Sequence, residues 1–290
     1  MAAVADVVAA AAATEHGGTS RRRWYRIPTL VAGMSILGLI VLMAVCAPLI
    51  TSHDPTHQDL LHSLSKPGEN GYLLGTDDLG RDIWSRLVYG ARTDLRVAFL
   101  AVLLPFIIGT TLGLLAGYFA GKTDTVVNWL VSVVVAFPFY VLVIALVFVI
   151  GAGARGIYIA ITIVGWVSYT RIIRAEVFSH KRREYVLAAR AGGLSTPRIL
   201  VRHLLPNVVT QAIVFACSDI VLDLVAIVTL GYLGLGVQPP TPDWGRMMAD
   251  GQTYITTRWE LVTIPGIAVV ITAFGLALLA DGLADLLRPE

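Results

Sequence analysis

Residues 174–207 read RAEVFSHKRREYVLAARAGGLSTPRILVRHLLPN and form a charged insert in an otherwise apolar chain. Residues 184–191 are good helix formers, and the glycines at 192–193 are expected to end this helix, because glycine tolerates the left-handed conformation of a C-cap. Ser195 is placed to cap a second helix, with Pro197 in its first turn. The pattern predicts two short helices that meet at a bend.

The corner of this bend consists of small residues, Ala188, Ala189 and Ala191. A compact helix with a small-residue face suits docking into a cleft on a partner protein. The same residues are also consistent with an ordinary basic loop, and the pattern alone leaves both interpretations open.

The rest of the chain is unusually apolar. Of its 290 residues, 56% are hydrophobic and 14% are charged, and the mean hydropathy is +0.73. A soluble globular domain has about 45–50% apolar and about 25% charged residues. The composition therefore predicts an all-α polytopic membrane protein.

Six hydrophobic runs predict transmembrane helices, since about 20 apolar residues cross the hydrocarbon core of a bilayer. Their predicted bounds are 27–50, 97–120, 125–150, 157–173, 208–230 and 261–279. In the second run, Gly109, Gly113 and Gly117 recur every four residues. They form one smooth helix face, which permits close approach of a neighbouring helix.

The remaining segments fall around these runs. We expect residues 1–26 to form a disordered cytoplasmic tail and residues 27–50 the first transmembrane helix. Residues 51–94 form an extracytoplasmic loop, whose second half, 78–96, has apolar residues at helical spacing and predicts an interfacial amphipathic helix. Residues 95–288 form a core with the other five helices and the charged insert.

The distribution of Lys and Arg predicts the orientation in the membrane. If the N-terminus is cytoplasmic and six helices follow, 14 of the 22 basic residues lie on the cytoplasmic side. Eight of them fall between Arg171 and Arg202. Both termini are therefore expected in the cytoplasm, on the same side as the insert.

The loop before the last helix contains Trp244, Tyr254 and Trp259. Aromatic residues of this kind are typical anchors at the membrane–water interface. Contact with an extracytoplasmic partner, or with the outer end of a translocation path, is the equally supported alternative.

No pattern indicates catalysis. The segment 117–123 resembles a phosphate-binding loop, but it has three residues where the motif needs four, and it follows a predicted transmembrane helix. Cys46 and Cys217 lie in apolar runs and are interpreted as small hydrophobic residues. We therefore expect no enzymatic activity, no metal and no cofactor bound by this chain, and nothing indicates nucleic-acid binding.

Asp219 and Asp223 lie four residues apart in the fifth predicted helix and so share one face. Acidic residues in a membrane helix are energetically expensive and normally face a cavity or a partner. They either line a translocation path or meet the amino group of a peptide, or they pair with Arg or backbone donors of a neighbouring helix.

The insert resembles the EAA loop of binding-protein-dependent ABC importer permeases, whose pattern is Glu-Ala-Ala, three residues, Gly, nine residues, Ile-x-Leu-Pro. Ala188 and Ala189, Gly193, and Leu205 with Pro206 are in register with this pattern. Two positions depart from it. Leu187 stands where the pattern has Glu, and His203 stands where it has Ile.

A second segment is similar to the GTDxxGRDxxSR signature of the C-type subunits of dipeptide/oligopeptide permeases. The matching residues are Gly75, Thr76, Asp77, Gly80, Arg81, Asp82 and Arg86. Phe137-Pro138 and the segment 233–245 fit the same subfamily. The resemblance covers about residues 27–288.

This resemblance implies a type I ABC importer permease architecture with six transmembrane helices in the bacterial cytoplasmic membrane. It implies a second homologous permease subunit and two ATPase subunits, which hold ATP and Mg. An extracytoplasmic binding protein would deliver the peptide. The EAA loop, 176–207, would form the coupling helix on an ATPase. The implied coupling residues are Glu184, Leu187, Ala188, Ala189, Arg190, Gly193, Leu205 and Pro206.

The implied cargo is a di- or oligopeptide, and nickel or another small solute is the alternative within the family. A secondary transporter is the alternative from another class. It would need helix breaks at matching positions of two inverted halves, and Pro105 and Pro138 are not matched in this way.

Overall fold

The computed structural model describes residue 25 and residues 27–287, so the predicted tail 1–26 lies outside the described residues except at residue 25. In the described part, the regular structure is helical, with one isolated antiparallel bridge between Thr76 and Asp82. The main helices are α1 (Pro28–Val45), α2 (Ile83–Phe119), α3 (Gly121–Val135), α4 (Phe139–Ile150), α5 (Ala154–His180), α6 (Glu184–Ala191), α7 (Leu205–Tyr232), α8 (Trp244–Gly251) and α9 (Glu260–Leu287). Shorter turns cover Ala47–Ile50, Leu60–His62, Glu69–Gly71, Thr196–Arg198, Ile199–Leu204 and Gln252–Tyr254.

Among the described residues, five helical stretches are long and apolar enough to cross a membrane, and the bent pair α3 and α4 makes a sixth if it is counted as one span. The five are α1, α2, α5, the continuous stretch Thr196–Tyr232 that ends with α7, and α9. The predicted all-α polytopic fold is confirmed. The predicted third span, 125–150, is not one straight helix, because α3 and α4 meet at an angle of 84°. The break precedes Phe139, since Pro138 has no N–H and disfavours helical conformation at the residue before it.

Helix α2 joins two segments that the sequence pattern treats separately. The amphipathic segment 78–96 is expected to be an interfacial helix, but residues from Ile83 onward continue into the second span as one helix of 37 residues. The carboxylate of Asp82 caps its N-terminus by accepting a hydrogen bond from the Ser85 N–H at 3.1 Å. The apolar side of the segment, including Val88 and Ala91, is buried against protein. The segment is therefore not an interfacial helix.

The predicted glycine face of α2 is confirmed as a close helix contact. A Cβ atom built on Gly109 would lie 2.4 Å from the Trp166 carbonyl oxygen, and one on Gly113 would lie 2.7 Å from that of Thr170. A Cβ on Gly117 would lie 2.7 Å from the Val177 Cβ. The three glycines therefore let the backbones of α2 and α5 pack together.

Helix α5 is longer than the predicted span 157–173 and extends to His180. Arg174 therefore lies within the helix, where its Nη2 pairs with Asp124 Oδ2 of α3 at 2.7 Å. This ion pair joins the helix to its neighbour, and the charged insert projects only from residue 181 onward.

Two hydrophobic clusters fill the interior. One lies around the N-terminal half of α2 and includes Ile83, Ala98 and Trp244. The other lies around the C-terminal half of α2 and contains Leu114 and Val186, the latter from the insert. Because α2 is about 55 Å long at 1.5 Å per residue, the insert and the loop that contains residues 51–82 lie at opposite ends of the molecule.

Candidate functional site

The insert folds as the sequence predicts, with a short helix that ends at a glycine. Helix α6 covers Glu184–Ala191, and the Gly192 N–H donates to the Ala188 carbonyl at 2.9 Å. Gly193 has φ +73°, a left-handed conformation in which a side chain would be strained. The chain therefore reverses directly after α6.

The second helix of the insert begins at the predicted position. Ser195 precedes it with extended backbone, but its side chain makes no capping hydrogen bond, so that detail of the prediction is wrong. After the turn Thr196–Arg198, residues 199–204 form a π-helix that runs directly into α7. Leu205 and Pro206 form the first turn of α7, where proline is tolerated because its missing N–H has no helical partner.

Helix α6 has a buried side and an exposed side. Val186 is fully buried and Ala189 nearly so, and both belong to the cluster that holds the insert on α5 and α7. Leu187 is 50% exposed although it is a large apolar residue. The exposed surface of the insert also includes Glu184, Ala188, Arg190 and Gly193.

Leu187 borders a shallow pocket of about 330 Å³ that is lined by Tyr118, Lys181, Arg182 and Arg190. The guanidinium carbon of Arg190 lies 4.8 Å from the centre of the Tyr118 ring. Lys181 Nζ donates to the Gly117 carbonyl oxygen at 2.7 Å, and partial burial followed by nearby arginines lowers its pKa. The pocket therefore combines one apolar side chain with a rim of cations.

At the other end of α2, the signature residues form one folded unit. The Asp77 carboxylate accepts hydrogen bonds from the Arg81 backbone N–H at 2.9 Å and from Arg81 Nε at 2.7 Å. Arg86 is 2% exposed, and its Nε lies 3.5 Å from Asp77 Oδ2.

Thr76 donates through its hydroxyl to the His62 carbonyl oxygen. Gly80 has φ +70° and contacts Asp59 closely.

This unit binds to α8 and to the segment before α9. Arg81 Nη2 lies 3.2 Å from Asp250 Oδ2, and Arg246 Nε donates to the other oxygen of Asp250 at 2.8 Å. Arg258 donates from Nη2 to the Ser65 carbonyl oxygen at 2.7 Å. We call residues 51–82 together with α8 the cap. Four of its charged side chains are bound to one another in the order Asp77, Arg81, Asp250 and Arg246, which makes the signature a structural clamp.

Trp244 begins α8 and is 1% exposed, so it is not an interfacial anchor as predicted. Its indole N–H donates to the Leu87 carbonyl oxygen at 2.9 Å, and its backbone N–H donates to Asp94 Oδ2 at 3.0 Å. Asp243 caps α8 by accepting from the Arg246 N–H at 2.7 Å. Burial raises the pKa of Asp243. Trp259, in contrast, is exposed, as the anchor prediction requires.

Asp219 and Asp223 lie near each other on α7. The Tyr169 hydroxyl of α5 donates to Asp219 Oδ2 at 2.7 Å. Asp223 is 2% exposed, and its Oδ2 is enclosed without a hydrogen-bond partner. Among the described residues, neither carboxylate forms an ion pair with Lys, Arg or His within 4 Å. Asp219 therefore has a partner on a neighbouring helix, but this partner is a tyrosine hydroxyl and not the Arg or backbone donor of the expectation.

Known protein families match most of this chain. Residues 109–290 match the family described as "Binding-protein-dependent transport system inner membrane component". The chain belongs to this family. Residues 18–67 of the permease match a second family, the "N-terminal TM domain of oligopeptide transport permease C".

Curated relatives extend the match over most of the permease. The permease is 38% identical over 268 residues to the "Di/tripeptide transport system permease protein DppC" of Pseudomonas aeruginosa. This alignment covers 90% of this chain and 88% of the relative. The permease is 36% identical over 261 residues to the "Oligopeptide transport system permease protein OppC" of Bacillus subtilis, covering 90% and 85%.

A solved structure supports the fold of the permease. A chain of the inward-facing MetNI methionine ABC transporter superposes with a TM-score of 0.58 at 18% identity, covering 71% of this chain and 98% of that chain. At this identity the likeness concerns the fold alone. It confirms the type I importer permease architecture.

Several structural partners of the permease's candidate residues have no signal in the sequence. Asp250 bonds to Arg81 of the signature segment, and Arg258 bonds to Ser65 just before it, although the partners lie about 170 residues or more apart in the chain. Asp94 lies in a transmembrane helix next to α8 with no motif around it. Next to α8, Asp243 directly precedes the helix and is of a residue type that is common at N-caps, so its role could be expected from the sequence.

Proposed function

We propose that this permease is the membrane subunit of an ATP-driven importer for di- or oligopeptides. It would pair with a second homologous permease subunit, and an extracytoplasmic binding protein would deliver the peptide. Two ATPase subunits would bind ATP and Mg, so that this chain itself is not catalytic and binds no cofactor. The protein would lie in the bacterial cytoplasmic membrane with both termini in the cytoplasm.

The observation that carries this proposal is the exposed apolar face of α6. Leu187 is half exposed on a helix whose opposite side is anchored in the hydrophobic interior. A motion imposed on α6 would therefore pass into α5 and α7 through packed side chains rather than through a flexible loop. Alternating access by rigid-body motion of helix bundles is an established mechanism.

The departure of Leu187 from the family pattern changes the chemistry of this contact. A Glu would offer charge, whereas Leu offers apolar contact worth about 1.5–3 kcal/mol when it is fully buried. Since Leu187 is half exposed, we expect about half of this value to be gained on docking. Glu184 and Arg190 flank it and would supply the polar contacts.

A peptide cargo is supported by the names of the relatives, which act on di-, tri- and oligopeptides. Uptake of a labelled dipeptide, compared with that of nickel, tests this part of the proposal. Accumulation of nickel without peptide uptake would replace the peptide proposal by its alternative within the family.

The coupling role is tested with Leu187→Arg in the assembled transporter. We expect ATPase stimulation by the loaded binding protein to fall and copurification of the ATPase subunits to weaken. Leu61→Arg is the matched control, because Leu61 is 93% exposed on the cap at the other end of the molecule. Undiminished stimulation in Leu187→Arg would argue against Leu187 lying in the interface.

A further inference from the structure

Asp219 and Asp223 form an acidic pair that lacks a counterion in the described part of the chain. Oδ2 of Asp223 is enclosed and unpartnered, and the residue is 2% exposed. An ionised carboxylate in such surroundings is strongly disfavoured unless a cation or several hydrogen-bond donors face it. Among the described residues, nothing supplies such a group to Asp223 Oδ2.

Asp219, one helical turn away, is held in a fixed orientation. It accepts a hydrogen bond from the Tyr169 hydroxyl, and the Tyr169 ring is in turn fixed by edge-to-face contacts with Phe106 and Phe215. Tyr169 is fully buried. The tyrosine occupies one oxygen of Asp219 and provides no positive charge, so the pair keeps acceptor capacity.

The pair lies beside a face of α7 that this chain does not cover. Ser218, Leu222 and Val225 are exposed on that face, with Leu222 55% exposed and Val225 39% exposed. Asp219 is partly exposed, while Asp223 lies one turn further along in the interior. A cation arriving from this open face would therefore meet Asp219 first, one helical turn before Asp223.

We propose that Asp219 and Asp223 together bind a primary ammonium group, namely the free amino terminus of a peptide in transit. This inference rests on the proposed peptide-import function. An ammonium has three donors and matches two carboxylates that carry unused acceptor oxygens. Metal binding is less well matched, because among the described residues no group of three His, Cys, Asp or Glu is arranged to hold a metal ion.

Carbodiimide labelling of the assembled transporter tests the ligand chemistry directly. Dicyclohexylcarbodiimide modifies carboxyl groups in apolar surroundings, and mass spectrometry locates the label on Asp219 or Asp223. We expect dialanine to reduce labelling at these two positions and N-acetyl-dialanine to leave it unchanged. Equal protection by both compounds, or by neither, would overturn the proposal. Labelling that appears only after the second permease subunit is removed would also overturn it, because a group of that subunit would then cover the pair.

Transport provides a second readout. The double variant Asp219→Asn/Asp223→Asn is expected to lower the initial rate of dipeptide uptake about tenfold or more, the factor of a lost hydrogen bond to a charged group. The double variant with Glu at both positions is expected to recover part of the rate. Ser218→Ala, on the same open face, is the control and should transport normally.

The outcomes separate this inference from the function on which it rests. If the wild-type complex shows no ATP-driven peptide uptake, the proposed function fails. If the wild type transports and the double Asn variant transports equally well, the proposed function stands and the ammonium site is wrong.

Discussion

Replacing Gly113 by Ala is expected to destabilise the permease, because this glycine lies where the backbones of α2 and α5 pack closely together. The added Cβ would lie 2.7 Å from the Thr170 carbonyl oxygen and 2.9 Å from the Ile173 Cβ. The first of these is a backbone atom, so it cannot move away without a shift of α5. Relief of the clash therefore requires the two helices to separate.

The magnitude follows from two opposing effects. Overpacking in a well-packed interior costs about 1–3 kcal/mol, and exchanging a helical Gly for Ala returns about 0.5–1 kcal/mol. We expect a net loss of about 1–2 kcal/mol in the free energy of unfolding. For a protein of this size that corresponds to a melting temperature lower by roughly 2–8 °C.

Gly38 provides the matched control, since it lies within α1 and a Cβ built there meets no atom within 4 Å. Gly38→Ala is expected to leave the melting temperature unchanged or to raise it. Thermal unfolding in detergent, followed by tryptophan fluorescence, measures both variants. If Gly113→Ala melts at the wild-type temperature, the close packing of α2 on α5 is refuted.

Two other predictions concern the cap. Arg258→Ala leaves the Leu64 carbonyl oxygen without its donor and removes one of the two donors to the Ser65 carbonyl oxygen. Because loss of a buried partner costs about 1–3 kcal/mol, we expect a lower melting temperature and faster proteolysis within residues 51–82. Exposed Lys66→Ala is its control, and equal behaviour of the two variants would contradict the clamp. Burial raises the pKa of Asp243 above its unfolded value of 3.8, so the folded state binds more protons than the unfolded state between these two pKa values. Stability should therefore fall as pH rises from 3.8 through the folded pKa. Asp243→Asn, which keeps an acceptor for the Arg246 N–H, should flatten this dependence in a melting-temperature series, and an unchanged slope would contradict burial as the cause.

The sequence predicts local features of the insert well, because they depend on neighbouring residues. Helix α6 and its end at Gly192, followed by the left-handed Gly193, are consistent with helix propensity and with the conformation that glycine tolerates. The four-residue spacing of the glycines in α2 likewise predicts a close helix contact, because it depends only on residues near one another in the sequence. The partner helix in that contact is α5. Its identity depends on the tertiary fold, so the glycine spacing alone does not predict it.

The errors arise where a pattern has two physical solutions. The apolar stripe at 78–96 can pack against either a membrane surface or a protein interior. In the structure it forms the start of α2 and is buried against protein. Trp244 likewise suits an interface or a buried site, and its indole N–H finds a partner at Leu87. Pro138 permits a kinked span or a break, and the chain turns by 84°.

The central claim is that this permease is driven by ATP through its insert. Its most direct test is uptake of a labelled dipeptide into proteoliposomes that contain the permease, its second permease subunit, the two ATPase subunits and the binding protein. We predict uptake that requires ATP hydrolysis, persists when ion gradients are dissipated by ionophores, and is reduced by Leu187→Arg. Uptake by this chain without ATPase subunits, and driven by an ion gradient, would contradict the account.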